Sequence, residues 1–464
     1  MTTRPNVLLI VMDCVRFDYL SVYGYPRPTT PHLERLAADG VVFENAFASA
    51  PWTPPSHASL FTGTYPLKHG VDVNENLHLS EQNTTLAEVL AGQGYRTFGV
   101  LPDVHLSSVR GFDKGFQDTI ELWRIPYWKP EYDWLECMAW NLFFGRDKRT
   151  SYTNKVMQRW LAANGRGPDP FFLFVNYKTA HNSYYHCPRP FHQRFAVESP
   201  GVDRRKVKYY SRKGGYSYMA RQLEMTEDEL ALARSWYSGA IAYLDARIGE
   251  MVAFLKEIGA YDNTLIIITA DHGENLGEHH LAYHLFCLYD TLLHVPLLMS
   301  CPALLPRGRR VPGMVSLTDV APTVLAVAGL EKTMHPMQGT SLAPFDERQY
   351  HDHIFAEFGR PQYMLKRLQS RLPDHHYSAF DRGLQCVSTP THKIISGSEG
   401  AEELYDLKVD PAENHNRLHE LPEVAADLRL QLNRLRASVE TTFQGQQSVD
   451  DAAITKALAD LGYF

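Results

Sequence analysis

Five short runs in this chain are apolar almost throughout: NVLLIVM (6–12), YRTFGVL (95–101), FFLFVNY (171–177), TLIIITA (264–270) and VPLLMS (295–300). A strand with one face in water alternates polar and apolar residues, so runs without alternation belong to strands covered on both faces. Between them lie helical patterns. TTPHLERLAADG (29–40) and TTLAEVLAGQG (84–94) each end at a glycine stop, and SGAIAYLDARIGEMVAFLKEIGA (238–260) is long and amphipathic. Strand and helix in alternation predict an α/β fold, a mainly parallel sheet sandwiched by helices. Near residue 350 the pattern changes. HIFAEF, LQCVSTP and HKIISG are shorter β-like pieces, followed by ELYDLKVDPAEN and a helical tail from Pro422. The expected organisation is one large unit over 1–350 and a smaller α+β subdomain with an antiparallel sheet over 351–464.

Composition narrows the function classes. With 464 residues, 44% of them apolar and 21% charged, the chain can bury a substantial core. A net charge of −7 argues against a general nucleic-acid or membrane-surface binder, so electrostatic recognition must be local. One local basic stretch exists, RRKVKYYSRKGGYSYMAR (204–221), rich in tyrosine and without an acidic residue, and it reads as a solvated loop. The N-terminal apolar run ends at Asp13 and reads as a buried strand, not a signal. No segment reaches the roughly 20 apolar residues of a membrane span. Cysteines at 14, 137, 187, 287, 301 and 386 show no CxxC spacing, which fits a reducing compartment and a cytoplasmic protein. A homo-oligomer is left open.

In open α/β sheets, active sites gather outside the carboxyl ends of the strands. That rule selects Asp13 after the first run, Lys178 and His181 after the third, and Asp271 with His272 after the fourth. Aspartate and histidine are ligand types for Mn²⁺, Zn²⁺ or, with fewer nitrogens, Ca²⁺. Either aspartate could instead cap a following turn. The segment APWTPPSHASLFTG (50–63) adds a hydroxyl. Pro54 and Pro55 exclude a strand or helix interior and place Thr53 on a rigid turn, where its oxygen is a helix cap or a nucleophile. Beside a Lewis acid a threonine oxygen gains nucleophilicity toward phosphorus or sulfur.

The long segment from LLIVMDCVRFDYLSVYGY to ASAPWTPPSHASLFTGTYPLKHGV resembles the N-terminal signature of the sulfatase-like branch of the alkaline phosphatase superfamily. ADHGENLGEH, HVPLLM, SLTDVAPTVLAVAGL and ELYDLKVDPAEN resemble its later blocks, in family order from residue 6 to about 417. The resemblance implies an alkaline-phosphatase-like fold and a metal-dependent ester hydrolase. It also carries departures. Sulfatases place Cys or Ser in a Cys-x-Pro-Ser-Arg pattern and oxidise it to formylglycine; here the segment is Thr53-Pro54-Pro55-Ser56-His57, and threonine cannot become formylglycine. Members with threonine there resemble phosphodiesterases, phosphonate-ester hydrolases and phosphotransferases. Two adjacent aspartates are replaced by Asp13-Cys14, and Asp-Asn by Asp271-His272. The implied metal ligands are Asp13, Thr53, Asp271 and His272, with Mn²⁺ or Zn²⁺ favoured over Ca²⁺ by the added nitrogen.

Two carboxylates and an alkoxide around one divalent ion leave about one negative charge, which repels a dianionic monoester more than a monoanionic diester. Further cations are needed. The candidates are His181 and Lys178 in NYKTAHNSYY, His57 in place of the family arginine, and His284 in HHLAYHLFCLYD. His181 resembles the histidine of a His-x-Pro-Tyr block, with Ser183 replacing the proline, and would hold a nonbridging oxygen or protonate the leaving group. His284 would bind a second metal or the substrate; His279 and His280 are weaker candidates. The basic 204–221 stretch follows the His181 block, where it could act as a lid over an anionic substrate. Arg16, Asp18 and Trp52 read as bracing and packing, Asp319 as a helix cap, and Ser56 as a hydrogen-bond partner beneath Thr53. The expected function is hydrolysis of phosphodiesters or phosphonate monoesters through a covalent threonine intermediate, sulfuric esters being a further class. The alternatives are phosphotransfer to an alcohol acceptor and a noncatalytic metal-stabilised binding protein.

Overall fold

A computed structural model describes residues 4–72, 77–125, 147–197, 199–333, 336–372 and 377–438, so Cys137 and the end of the helical tail lie outside the described residues. The apolar runs form the middle of one eight-stranded sheet. Its strands are β1 (Asn6–Met12), β2 (Gly40–Phe47), β3 (Arg96–Leu101), β4 (Asp118–Glu121), β5 (Phe171–Tyr177), β6 (Thr264–Thr269), β9 (His294–Ser300) and β10 (Arg309–Ser316), in the spatial order β10-β2-β9-β6-β1-β5-β3-β4. The short ribbon β7 (Asn275–Leu276) and β8 (Ala282–Tyr283) stands apart from it. β5 and β6 are buried at every residue and β1 at all but Asn6, as the lack of alternation requires. β1 pairs in parallel with β5 on one side and β6 on the other. Their carboxyl ends therefore open on the same edge.

The VPLLMS run is the exception to the parallel reading: β9 runs antiparallel to both β2 and β6. A buried strand is apolar whichever way it points, so direction is not written in the run. β10 carries two arginines and Pro312 and shifts register between Val311 and Met314; it lies at the end of the sheet, where a missing N–H is tolerated.

Two groups of helices cover the sheet. α1 (Pro31–Ala38), the helix Thr150–Asn164 and the long helix Glu227–Glu257 pack together, and α2 (Thr53–Thr62) packs with the helices Leu86–Gly92 and Val320–Val327. The long helix starts earlier than its apolar stripe, at a capping box between Thr226 and Glu229. No helix among the described residues is long and apolar enough to cross a membrane.

The C-terminal pieces form an antiparallel sheet, β11 (Ile354–Phe358), β12 (Leu384–Ser388), β13 (His392–Gly397) and β14 (Glu402–Asp406). The helix Pro422–Ser438 covers it, placing Ala425, Leu428 and Leu432 against Phe355, Val387, Ile394 and Leu404. This sheet is fastened to the loop before β9 by Lys393, which is fully buried. Its ammonium pairs with Asp290 and, at 2.8 Å, with Glu413, and donates to the Leu288 carbonyl at 3.2 Å. Removing one partner of a buried ion pair costs about 3–5 kcal/mol because the other charge stays buried and uncompensated. Lys393→Ala is therefore expected to lower the unfolding free energy by about that amount, read by urea denaturation; a loss under about 1 kcal/mol would show that the clamp contributes little.

Candidate active site

Thr53 is the first residue of α2 rather than part of a turn before it. Pro54 and Pro55 occupy the first turn of the helix, where backbone N–H groups have no intrahelical acceptor and a proline removes nothing the helix needs. The helix is stitched to the sheet by Ser56, whose hydroxyl donates to the Asp271 carbonyl at 2.6 Å. Ser56 therefore bonds across to the end of β6 rather than to the turn beneath Thr53. The stitch carries the Thr53 oxygen to 3.2 Å from Nε2 of His272.

Asp13, Asp271 and His272 are fully buried around that oxygen. Asp13 accepts from the Asn176 amide at 3.1 Å and from the Cys14 thiol at 3.0 Å. One oxygen of Asp271 accepts the backbone N–H groups of Cys14 at 3.2 Å and His272 at 3.0 Å. The other, Oδ2, accepts no hydrogen bond although it is buried, and lies 3.3 Å from His272 Nε2. His272 Nδ1 faces the Gly273 carbonyl at 2.9 Å, which can only accept, so Nδ1 carries the proton and Nε2 presents its lone pair. Donor atoms sharing a small divalent cation at bonds of about 2.1 Å stand about 3.0–3.4 Å apart. His272 Nε2 stands at that spacing from both the Thr53 hydroxyl and the orphaned Asp271 oxygen, so the residues present fit a divalent cation.

Burial favours the neutral form of every group here, and neighbours decide the outcome. For Asp13, burial is outweighed by His181, Lys178 and His272, and the carboxyl is held far below its ordinary range. Asp271, buried and facing the Asp13 charge, is pushed up to about 7. Burial and the neighbouring His284 bring His272 down to about 4, leaving it neutral.

The expected cations fare differently. His57 is buried and its pKa is lowered by desolvation; Nδ1 faces the Thr53 carbonyl at 2.9 Å, and Nε2 has no partner. His57 thus ties the first turn of α2 to itself, and the same Nδ1 lies 3.6 Å from Oδ2 of Asp271, whose charge opposes the effect of burial. Lys178 is present at the edge, but as the ion-pair partner of Asp103. Burial would raise the Asp103 carboxyl, yet Lys178 and His105 hold it at about 2. His181 is lowered well below its ordinary value by burial and then by Lys178, so it too is neutral. His284 is the reverse case. Burial would lower it, but Glu274, 2.7 Å from Nδ1, raises it. Its ring stacks on His272 at 4.6 Å and meets His181 edge-on at 5.0 Å.

His279 and His280 lie outside this cluster, bonded to the Ala412 and Tyr218 carbonyls. The basic 204–221 stretch is helical rather than a solvated loop: Tyr210 and Tyr218 are buried, and the Tyr283 hydroxyl bonds the Gly215 N–H and the Tyr210 carbonyl. Arg16 braces the first loop through Asp18 and Glu278, each at 2.7 Å, and Trp52 is buried packing. Asp319 stands at a helix start, but its carboxylate reaches back to the Ser316 N–H, out to the Thr340 N–H and across to His351.

Three residues were not singled out in the sequence. Glu274 lies in the ADHGENLGEH block and holds both His284 and, at 2.5 Å, the Tyr184 hydroxyl. Asn176 is the amide within the FFLFVNY run. Lys148 carries no signal beyond a charge run, RDKR, yet it is half-buried beside His181. It donates to the His181 carbonyl, and burial, with Lys178 adding to it, lowers its amine to about 7.

The family model "Sulfatase" matches residues 5–330. The chain belongs to the sulfatase family. A second model, described as "N-sulphoglucosamine sulphohydrolase, C-terminal", matches 277–438. Relatives include Arylsulfatase K of Bos taurus, 27% identical over 93% of this chain and 81% of the bovine protein. The multifunctional alkaline phosphatase superfamily protein PehA of Trinickia caryophylli is 28% identical over 89% of this chain and 91% of its own. In structure the chain is similar to the phosphonate monoester hydrolase of Agrobacterium radiobacter, with a TM-score of 0.74, 24% identity, and coverage of 94% of this chain and 96% of that one. These relatives are ester-bond hydrolases, and so is this member of their family, whose enzymes depend on a metal.

Outer groups that orient a site's imidazoles typically account for tenfold to a hundredfold in activity. Glu274→Gln is expected to lower kcat/KM on an aryl ester by about that factor with its far-UV circular dichroism melt preserved, because it removes the charge that orients the His284 ring and raises its pKa.

Proposed function

We propose that this sulfatase-family enzyme hydrolyses phosphodiesters or phosphonate monoesters through a covalent intermediate on Thr53, with sulfate esters as secondary substrates. The observation that carries this reading is the placement of the Thr53 oxygen 3.2 Å from His272 Nε2, beside the orphaned Oδ2 of Asp271. Asp13, Thr53, Asp271 and His272 would hold the divalent ion, Mn²⁺ or Zn²⁺ before Ca²⁺ because one donor is an imidazole nitrogen. When bound, the ion supplies Lewis acidity to the threonine oxygen and to the ester.

The Thr53 oxygen attacks phosphorus, the bond from phosphorus to the leaving oxygen breaks, and the proton given up by Thr53 is balanced by the one the leaving group takes as it departs as an alcohol. Water then attacks the same phosphorus, the Thr53 oxygen leaves, and the proton lost by water restores the Thr53 hydroxyl as the phosphorus acid is released. His57, bonded to the carbonyl of Thr53, and Ser56, bonded to that of Asp271, keep the nucleophile in place through both displacements. His284, with Glu274 beside it, and the Lys178 amine form the positive side of the site. The acid-rich donor set favours a substrate with one negative charge on the reacting group.

Initial rates on aryl phosphate monoester, diester, phosphonate and sulfate substrates, after loading with Mn²⁺, Zn²⁺ or Ca²⁺, test the substrate class. Diester and phosphonate turnover should exceed monoester turnover. Thr53→Ala should lose at least about a hundredfold in kcat, the scale for a principal catalytic group, with its melting curve preserved. Quenched wild-type enzyme should show a phosphoryl adduct on the Thr53 peptide by mass spectrometry. Near-wild-type rates in Thr53→Ala would remove the mechanism.

A further inference from the structure

Beside the oxygen-rich donors stands a second group of a different chemical character. Cys14, His181 and His284 are all buried and bring one ligand atom each, a sulfur and two ring nitrogens, to within 4.8 Å of one another. They come from three parts of the chain: the loop after β1, the loop after β5 and the segment after β8. We propose that these three residues form a second cation site, for a soft divalent ion of the zinc class, adjoining the one framed by Asp13, Thr53, Asp271 and His272.

The geometry matches that ion. Cys14 Sγ lies 3.5 Å from His284 Nδ1. Two ligands of one tetrahedral zinc, with bonds of about 2.3 Å to sulfur and 2.0–2.1 Å to nitrogen, stand about 3.5 Å apart. The His181 and His284 rings meet at 5.0 Å and 64°, edge to face. Thiolate and imidazole together select zinc-like ions over Ca²⁺ or Mg²⁺, and this group is softer than the neighbouring one, in which three oxygen donors accompany a single imidazole.

The surroundings hold the donors. The Tyr237 hydroxyl donates to the Cys14 carbonyl at 2.6 Å and accepts the Arg16 N–H at 2.9 Å, fixing the loop with Cys14 at φ 62°. Glu274 anchors the His284 ring and is itself anchored by Tyr184. On binding, the ion takes the place of the thiol proton and of the proton that His284 directs at Glu274, both of which pass to solvent, and the Glu274 carboxylate remains as a counter-charge.

The same sulfur lies within reach of Asp13 and His272. A single ion sharing Cys14 with the first site is thus the competing arrangement, and metal stoichiometry separates the two. The site does not depend on which residue is the nucleophile, so its failure would leave the Thr53 assignment standing, and the reverse.

The test uses the full chain, stripped with a chelator and kept reduced, titrated with Co²⁺ and followed by absorption. Two equivalents should bind, with a near-ultraviolet thiolate-to-cobalt charge-transfer band, and Zn²⁺ should displace the ion that produces it. Cys14→Ser should abolish the band and keep one equivalent. His284→Gln should do the same, and carries the test should Cys14→Ser fail to fold. His272→Ala should weaken the other ion and keep the band. Binding of one equivalent, with or without the band, overturns the proposal, as does a band that survives Cys14→Ser.

Discussion

Two aspartates buried at the ends of adjacent parallel strands set the terms for everything around them. Burying one carboxylate is costly, and burying two together adds their repulsion. Asp13 is compensated by the Asn176 amide, the Cys14 thiol and the Lys178 charge. Asp271 has only two backbone N–H groups, both on one oxygen. The unsatisfied oxygen marks where compensation has to come from outside the chain. A cation is the group that answers both the charge and the missing partner. The sheet makes this unavoidable: β1 and β6 are parallel neighbours, so residues just past their ends share an edge whatever else the chain does.

The second constraint is the start of α2. A helix N-terminus ordinarily offers several N–H groups to an anion. Here Pro54 and Pro55 have none, and the Ser56 N–H is already given to the Trp52 carbonyl at 3.2 Å. Of the first four backbone nitrogens only that of Thr53 itself remains as a donor. The helix therefore presents a hydroxyl without the usual cradle, and stabilising a substrate's nonbridging oxygens falls to side chains and bound cations. This accounts for the positive groups at the same edge: Lys178 and the Glu274-supported His284 stand where a backbone cradle would otherwise suffice. His57 lies beneath the nucleophile, with Phe61 and Phe174 edge-on to its ring and Asp271 3.6 Å from Nδ1.

Much of this was legible in the residues because strand ends are where apolar runs stop. Asp13, Lys178 and Asp271 each follow a run with no alternation, and the fold rule that gathers strand ends does the rest. What was hidden falls into two kinds. Direction and charge state are not local: the VPLLMS run looks the same parallel or antiparallel, and a histidine in a motif does not say whether burial has neutralised it, as with His181. Supporting residues are hidden because their signal is generic. Glu274 reads as one more acid in a polar loop and Lys148 as one more base in RDKR. Only the packing shows what each one meets. The prolines misled in a specific way: they do exclude a helix interior, but the first turn is not interior.

The chemistry at position 53 also bears on how far the family's substrates extend to this chain. Oxidising a cysteine or serine at Cβ gives an aldehyde, whose hydrate has a second hydroxyl that can collapse and expel an ester from carbon. Threonine bears a methyl on that carbon, so oxidation would stop at a ketone, and the side chain keeps one oxygen. An ester formed on it must be cleared by a second attack at phosphorus or sulfur, with the same geometry and the same donors as the first. Both half-reactions then draw on one constellation, and a group that stabilises the first displacement stabilises the second equally. On the proposed reaction, the substrate class is therefore set less by the sulfatase-like frame than by how well Thr53, the buried aspartates and the positive groups together accommodate charge on the group being transferred.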